Sequence, residues 1–133
     1  MNYVSKGPRI FLVEGDFLVA NDLMYALENE GMVIACVSSS LEGALKQLEY
    51  GAFDFALINL RLRDVNCYPI AEKLKDLDVP FAFFTGATQA EIDVKFQDIP
   101  WIEKPKNSAL VAQDIKNIIT SAASIAVEVG RLW

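Results

Sequence analysis

Five short apolar runs alternate with amphipathic stretches along the chain: Ile10 to Val13, Met32 to Val37, Phe53 to Ile58, Phe81 to Phe84 and Ile99 to Ile102. Each is nearly continuous rather than alternating, the pattern of strands covered on both faces. The stretches between them carry helical spacing and helical punctuation. Asp16 is placed to cap a first helix with Leu23, Met24 and Leu27 on its apolar face, and Gly31 sits where that helix would stop. Three serines precede a second helix holding Leu41, Ala44, Leu45 and Leu48, stopped by Gly51. Pro69 suits the first turn of a third, with Ile70, Ala71, Leu74 and Leu77 as its core stripe. Thr88 to Phe96 is short and weakly patterned, and a last helix begins near Ser108. Strand and helix alternating at this spacing predict one doubly wound α/β domain, with right-handed crossovers and a single parallel sheet.

Composition narrows the function classes. A chain of 133 residues with 53% apolar content is one domain with a real core, not a disordered segment. A net charge of -6 with scattered Lys and Arg argues against a nucleic-acid partner. His is absent, which removes His-based acid–base chemistry, most zinc and copper sites, and phosphoryl transfer through a histidine of this chain. Cys36 and Cys67 stand far apart with no His or Cys beside them, so a reduced, cytoplasmic protein is the simpler expectation. Residues 1–8 read as a tail without a signal-peptide core, and no apolar run is long enough to span a membrane.

In a doubly wound sheet, ligands bind beyond the carboxyl ends of the strands. Glu14, Asn59, Thr85 and Lys104 stand at four of those ends. Each has an ordinary explanation alone, as a turn or edge residue. Together they put a carboxylate, an amide, a hydroxyl and an ammonium on one edge of the sheet.

Those positions, within "FLVEGD", "LINLRL", "FFTGA" and "WIEKP", resemble the receiver domain of bacterial two-component response regulators. The resemblance covers residues from about 9 to 120 and is closest to receivers with a Phe-Ala-Thr-Gly-Tyr type motif, although Ala87 stands in place of the Tyr. It implies a flavodoxin-like (βα)5 sheet of order 2-1-3-4-5 with a phosphorylation pocket at its top. It also implies a cis Lys104–Pro105 bond. In that family an acidic pair follows the first strand, and here the pair falls on Glu14 and Gly15. The phosphoacceptor Asp falls on Asn59, the switch hydroxyl on Thr85, the phosphate-pairing Lys on Lys104, and the coupled aromatic on Trp101. The backbone carbonyl of the metal site would come from Arg61.

Two of three expected carboxylates are therefore missing. Acylphosphate formation needs an anionic nucleophile, and the Asn59 amide is not one. Mg²⁺ wants hard anionic oxygens, so the expectation is weak or absent Mg²⁺ binding and no resident metal or cofactor. Asp16 is read as the cap of the first helix, with service as a substitute ligand as the alternative. Lys104 is expected to pair with Glu14 and to hydrogen-bond Asn59.

The apolar stripe Val111, Ile115, Ile118, Ala122, Ile125, Val129 runs past the family's last helix, so residues 121–133 are expected to form a helical extension ending in Leu132-Trp133, with folding back on its own domain or fraying as the alternative. The reading leaves no stretch expected to form an output domain. The resulting expectation is a stand-alone pseudo-receiver in phosphorelay signalling, not an enzyme. It would act on another signalling protein, as a homodimer, or both. The surface would be the fourth helix, fifth strand and fifth helix of the fold together with the extension. The alternatives are an ordinary phospho-switch or phosphate sink whose acceptor Asp was replaced by Asn59, and a flavodoxin-like cofactor carrier. "EGDFLVA" has one Gly and no run of Ser or Thr to cradle a phosphate, which counts against the carrier.

Overall fold

A computed structural model of the chain describes residues 7–130, with side chains from 7 to 121. Among the described residues, seven strands and four α-helices follow one another: β1 (Arg9–Val13), α1 (Phe17–Asn29), β2 (Val33–Ser38), α2 (Leu41–Tyr50), β3 (Phe55–Ile58), β4 (Arg61–Leu62), β5 (Val65–Asn66), α3 (Tyr68–Asp76), β6 (Phe81–Thr85), β7 (Trp101–Glu103) and α4 (Ser108–Gly130). Five strands form one sheet in the order β2-β1-β3-β6-β7, with every pairing parallel. Counting only those five, the order is 2-1-3-4-5, as expected. The remaining pair, β4 and β5, makes a two-stranded antiparallel ribbon just beyond β3.

Continuous apolar strands bury both faces, so the core has two halves. One packs α2, α3, Ile92 and Phe96 against Phe11, Ala56, Ile58 and Phe83; the other packs α1 and α4 against Ile10, Leu12, Leu57 and Phe84. The helix signals act where they stand. Ser40 caps α2 by accepting from the Gly43 amide at 3.1 Å. Pro69 lies in the first turn of α3, and Gly31 takes φ +88°, which lets the chain leave α1. The Lys104–Pro105 peptide is cis, as expected.

Two expectations need correction. Leu77 is not part of the α3 core stripe: the helix stops at Asp76 and Leu77 is 46% exposed. Leu77 is the C-cap residue on which α3 ends, and Asp78 follows with φ 58°, a left-handed turn that takes the chain away from the helix axis. The fourth helix of the expected partner face is also missing as an α-helix. Its place is taken by two 3-10 turns, Gln89–Glu91 and Val94–Phe96.

Buried Val111 and Ile115 and partly buried Ile118 anchor α4 on the sheet. The helix continues to Gly130. The side chains of Ala122, Ile125 and Val129, and all of Leu132-Trp133, lie outside the described residues. Among the described residues, no helix is long and apolar enough to cross a membrane.

Candidate functional site

Parallel register brings the strand ends together. Val13 lies beside Ile58 and Thr85 beside Glu103, so the next residues, Glu14, Asn59 and Lys104, leave the sheet on the same edge. Backbone bonds fix their places: Asn59 N donates to the Val13 carbonyl at 2.9 Å, and Lys104 N to the Thr85 carbonyl at 2.8 Å.

Glu14 is the hub. It is 3% exposed, and both carboxylate oxygens are engaged. Oε1 accepts from Lys104 Nζ at 2.9 Å. Oε2 accepts from the Asp16 amide at 3.1 Å and from Asn59 Nδ2 at 3.3 Å. A carboxylate taken out of water needs this kind of pairing to remain charged. Lys104 Nζ also stands 5.1 Å from the centre of the Phe84 ring, a cation–π contact. The expected Lys104–Asn59 bond is not formed. An amide carries both a donor and an acceptor, and here the donor turns to the Glu14 anion while Oδ1 accepts from the Arg61 amide at 3.3 Å.

Gly15 and Asp16 contribute no oxygen to this cluster. A Cβ at Gly15 would meet Leu62 Cδ2 at 3.3 Å and the Ser39 carbonyl at 4.0 Å, and little else. Asp16 Oδ1 accepts from the amides of Leu18 and Val19 at 2.9 and 3.2 Å, so its carboxylate is the α1 cap. The Arg61 side chain is exposed. Among the described residues no three His, Cys, Asp or Glu side chains are grouped to hold a metal ion. The Cys67 thiol is fully buried, and burial pushes it up to about 11, only partly offset by the Leu62 backbone. It stays protonated at neutral pH and is no nucleophile.

Thr85 and Trp101 lie on neighbouring strands and meet through a residue that sequence reasoning did not single out as a site member. The Ala87 amide donates to Thr85 Oγ1 at 3.2 Å, and Trp101 Nε1 donates to the Ala87 carbonyl at 3.0 Å. Thr85 is 3% exposed and Trp101 half-buried. The one signal in the sequence was the indole itself, a donor that seeks an acceptor when it is partly buried. A backbone acceptor leaves no mark on residue type.

No protein-family model and no curated protein matches the chain. Solved structures do. SdrG from Sphingomonas melonis Fr1 is 32% identical, over 85% of this chain and 97% of that one, with a TM-score of 0.72. The BeF3-activated conformation of SdrG from Pseudomonas melonis Fr1 is 31% identical over 87% of this chain and 99% of that one, also with a TM-score of 0.72. A CheY-like response regulator receiver domain protein from Methanospirillum hungatei JF-1 is 22% identical over 90% and 98%, with a TM-score of 0.77, a likeness of fold alone.

Proposed function

The chain belongs to the receiver-domain family of response regulators, and on that premise we propose that it is a pseudo-receiver, a signalling module that works by protein–protein contact without accepting a phosphoryl group. The observation that carries this reading is the engagement of Glu14 by Lys104, Asn59 and the Asp16 amide. Phosphoryl transfer needs an anionic oxygen in line with the donor and a cation to neutralise the developing charge. Asn59 offers a neutral amide, its N–H already given to Glu14. The one buried carboxylate at the site is neutralised by Lys104. Gly15 supplies no ligand and Asp16 is engaged as a cap, so Mg²⁺ has one compromised carboxylate to bind.

The surface for such a module is the exposed side of β7 and α4 together with the helical extension. Its partner is another signalling protein or a second copy of the chain. Apolar positions at 122, 125 and 129 continue the α4 stripe in sequence beyond the part that covers the sheet, which favours a partner that takes an apolar helix.

Intact mass after incubation with acetyl phosphate and Mg²⁺ tests the reading. The chain is expected to gain no phosphoryl group, and the Gly15→Asp/Asn59→Asp variant to gain one. Leu62 Cδ2, 3.3 Å from the added Cβ, must give by a few tenths of an ångström to admit the new side chain. Labelling of the unmodified chain overturns the proposal. Ready labelling of Asn59→Asp alone means that the remaining groups suffice for the metal, and favours an ordinary phospho-switch whose acceptor is masked by one substitution.

A further inference from the structure

We propose that Leu132 and Trp133 of a second copy of the chain seat in an apolar groove at the lower edge of the sheet, so that two copies clasp each other end to end. The groove lies where the strands begin, on the edge opposite Glu14. Phe55 and Phe81, 1% and 4% exposed, form its floor, and Pro80, Ile99, Pro100 and Ile118 form its walls. Its volume is about 420 Å³. Pro80 and Pro100 stand just before β6 and β7, and their carbonyls are already given to the sheet. They accept from Ala56 N at 3.0 Å and from Phe83 N at 2.9 Å. Neither residue has an N–H. These two lips therefore offer ring carbon and no donor, a surface for an apolar side chain rather than for an added strand.

The position of α4 selects the occupant. Ile118 is both a wall of the groove and a member of the helix stripe. Below it the helix runs on from Ile119 to Gly130, about 18 Å. Residues 131–133 span at most about 10 Å, too little to bring Trp133 back to the groove of its own chain. In the sequence the stripe below the sheet falls at 118, 122, 125 and 129. Its intervals of four, three and four read the same in both directions. Two copies laid antiparallel therefore match stripe to stripe about a two-fold axis, 122 beside 125 and 118 beside 129. That register carries residues 131–133 of each copy just past Ile118 of the other, onto the groove. Parallel pairing sends both ends away from both grooves.

The other end of the chain is placed elsewhere. Gly7 lies against the Gly31 carbonyl, and Val33 N donates to the Pro8 carbonyl at 2.9 Å, so the chain enters β1 beside β2, the strand farthest from β7. The chemistry of residues 131–133 suits the groove. Trp brings a large apolar area and favours desolvated pockets at interfaces. Asp78 on the rim makes no ion pair among the described residues, and Arg131 stands two positions before Trp133. The inference rests on the second-copy reading of the helical extension and is independent of phosphoryl chemistry.

The experiment follows the Trp133 indole, which on a Trp101→Phe background is the sole indole of the two in the chain. Where light scattering shows a dimer, its emission is expected to be blue-shifted and shielded from iodide. Pro80 is exposed, so Pro80→Glu adds a charge to the groove without touching the core. It should raise iodide quenching severalfold and weaken the dimer about tenfold. A mixture then assigns the chains, with Trp133→Cys in one and Pro100→Cys in the other, both on a Cys36→Ser background because Cys67 is buried. Oxidation should link them into a species of dimer mass. A dimer whose Trp133 is quenched like free tryptophan, or is indifferent to Pro80→Glu, overturns the seat and leaves the dimer standing. So does a single chain carrying both cysteines that closes on itself. A chain monomeric at all concentrations overturns the inference and the second-copy reading together, while the phosphoryl-mass test of the pseudo-receiver stands apart. Should Trp101→Phe fail to fold, the cysteine mixture decides, and absence of the linked species overturns the proposal.

Discussion

Glu14 and Lys104 are bonded to each other but differ in their access to water. The Glu14 side chain is 2% exposed and that of Lys104 24%. Lys104→Met therefore strands a buried carboxylate, and urea denaturation should show a loss of about 3 kcal/mol or more. Glu14→Gln leaves an ammonium that still reaches solvent, and the loss should be about 1 kcal/mol. Equal losses would mean that Glu14 finds water or other donors when Lys104 is gone. The members of this site were legible as residues at strand ends, because parallel register fixes which positions share an edge. Which bonds they make was less legible. Asn59 could donate or accept, and only the geometry around Glu14 Oε2 decides that it donates. Ala87 was invisible as a site residue because it acts through its backbone.

At the scale of elements, Asp16 is the residue whose two possible roles the fold separates. Its carboxylate closes the first turn of α1, so Asp16→Ala should lower stability by about 1 kcal/mol and Asp16→Ser much less, measured by the same denaturation. If Asp16 served the pocket instead, both variants would alter cation binding and neither would shift the midpoint much. The five strands of the sheet and α1 to α3 were readable from near-continuous apolar runs and from their stop and start residues, with ends displaced by one or two positions, whereas the β4–β5 ribbon was not foreseen. The segment from Thr88 to Phe96 was not. Ile92 and Phe96 are four apart and both buried, as on a helix, yet the Asp93 amide is given to Tyr68 Oη and the Asp93 side chain accepts from Lys95 N. One local bond and one to a distant side chain thus compete with the helical ladder and leave two 3-10 turns. Tyr68 is 25 residues away in sequence, beyond the reach of any local pattern.

At the scale of the whole molecule, α4 is longer than the sheet needs. Its 23 residues extend about 34 Å, against about 20 Å for the longest strand, β2, of six residues. On the proposed partner reading, the apolar positions 122, 125 and 129 of the sequence would meet the same stripe of a second copy. Light scattering is expected to show a dimer for the full chain and a monomer for Ile125→Asp/Val129→Asp. A chain that is monomeric at all concentrations would leave the extension to a different protein. Glu14 and Lys104 are 90 residues apart in sequence, and this separation gives the site a place in time as well as in space. As the chain emerges from the ribosome, β1 is made early and can find β2 and β3, but its terminal carboxylate has no counter-charge until β7 has been added. A nascent or truncated chain without β7 and Lys104 keeps that edge hydrated and open, so the closed site marks the arrival of the last strand of the sheet.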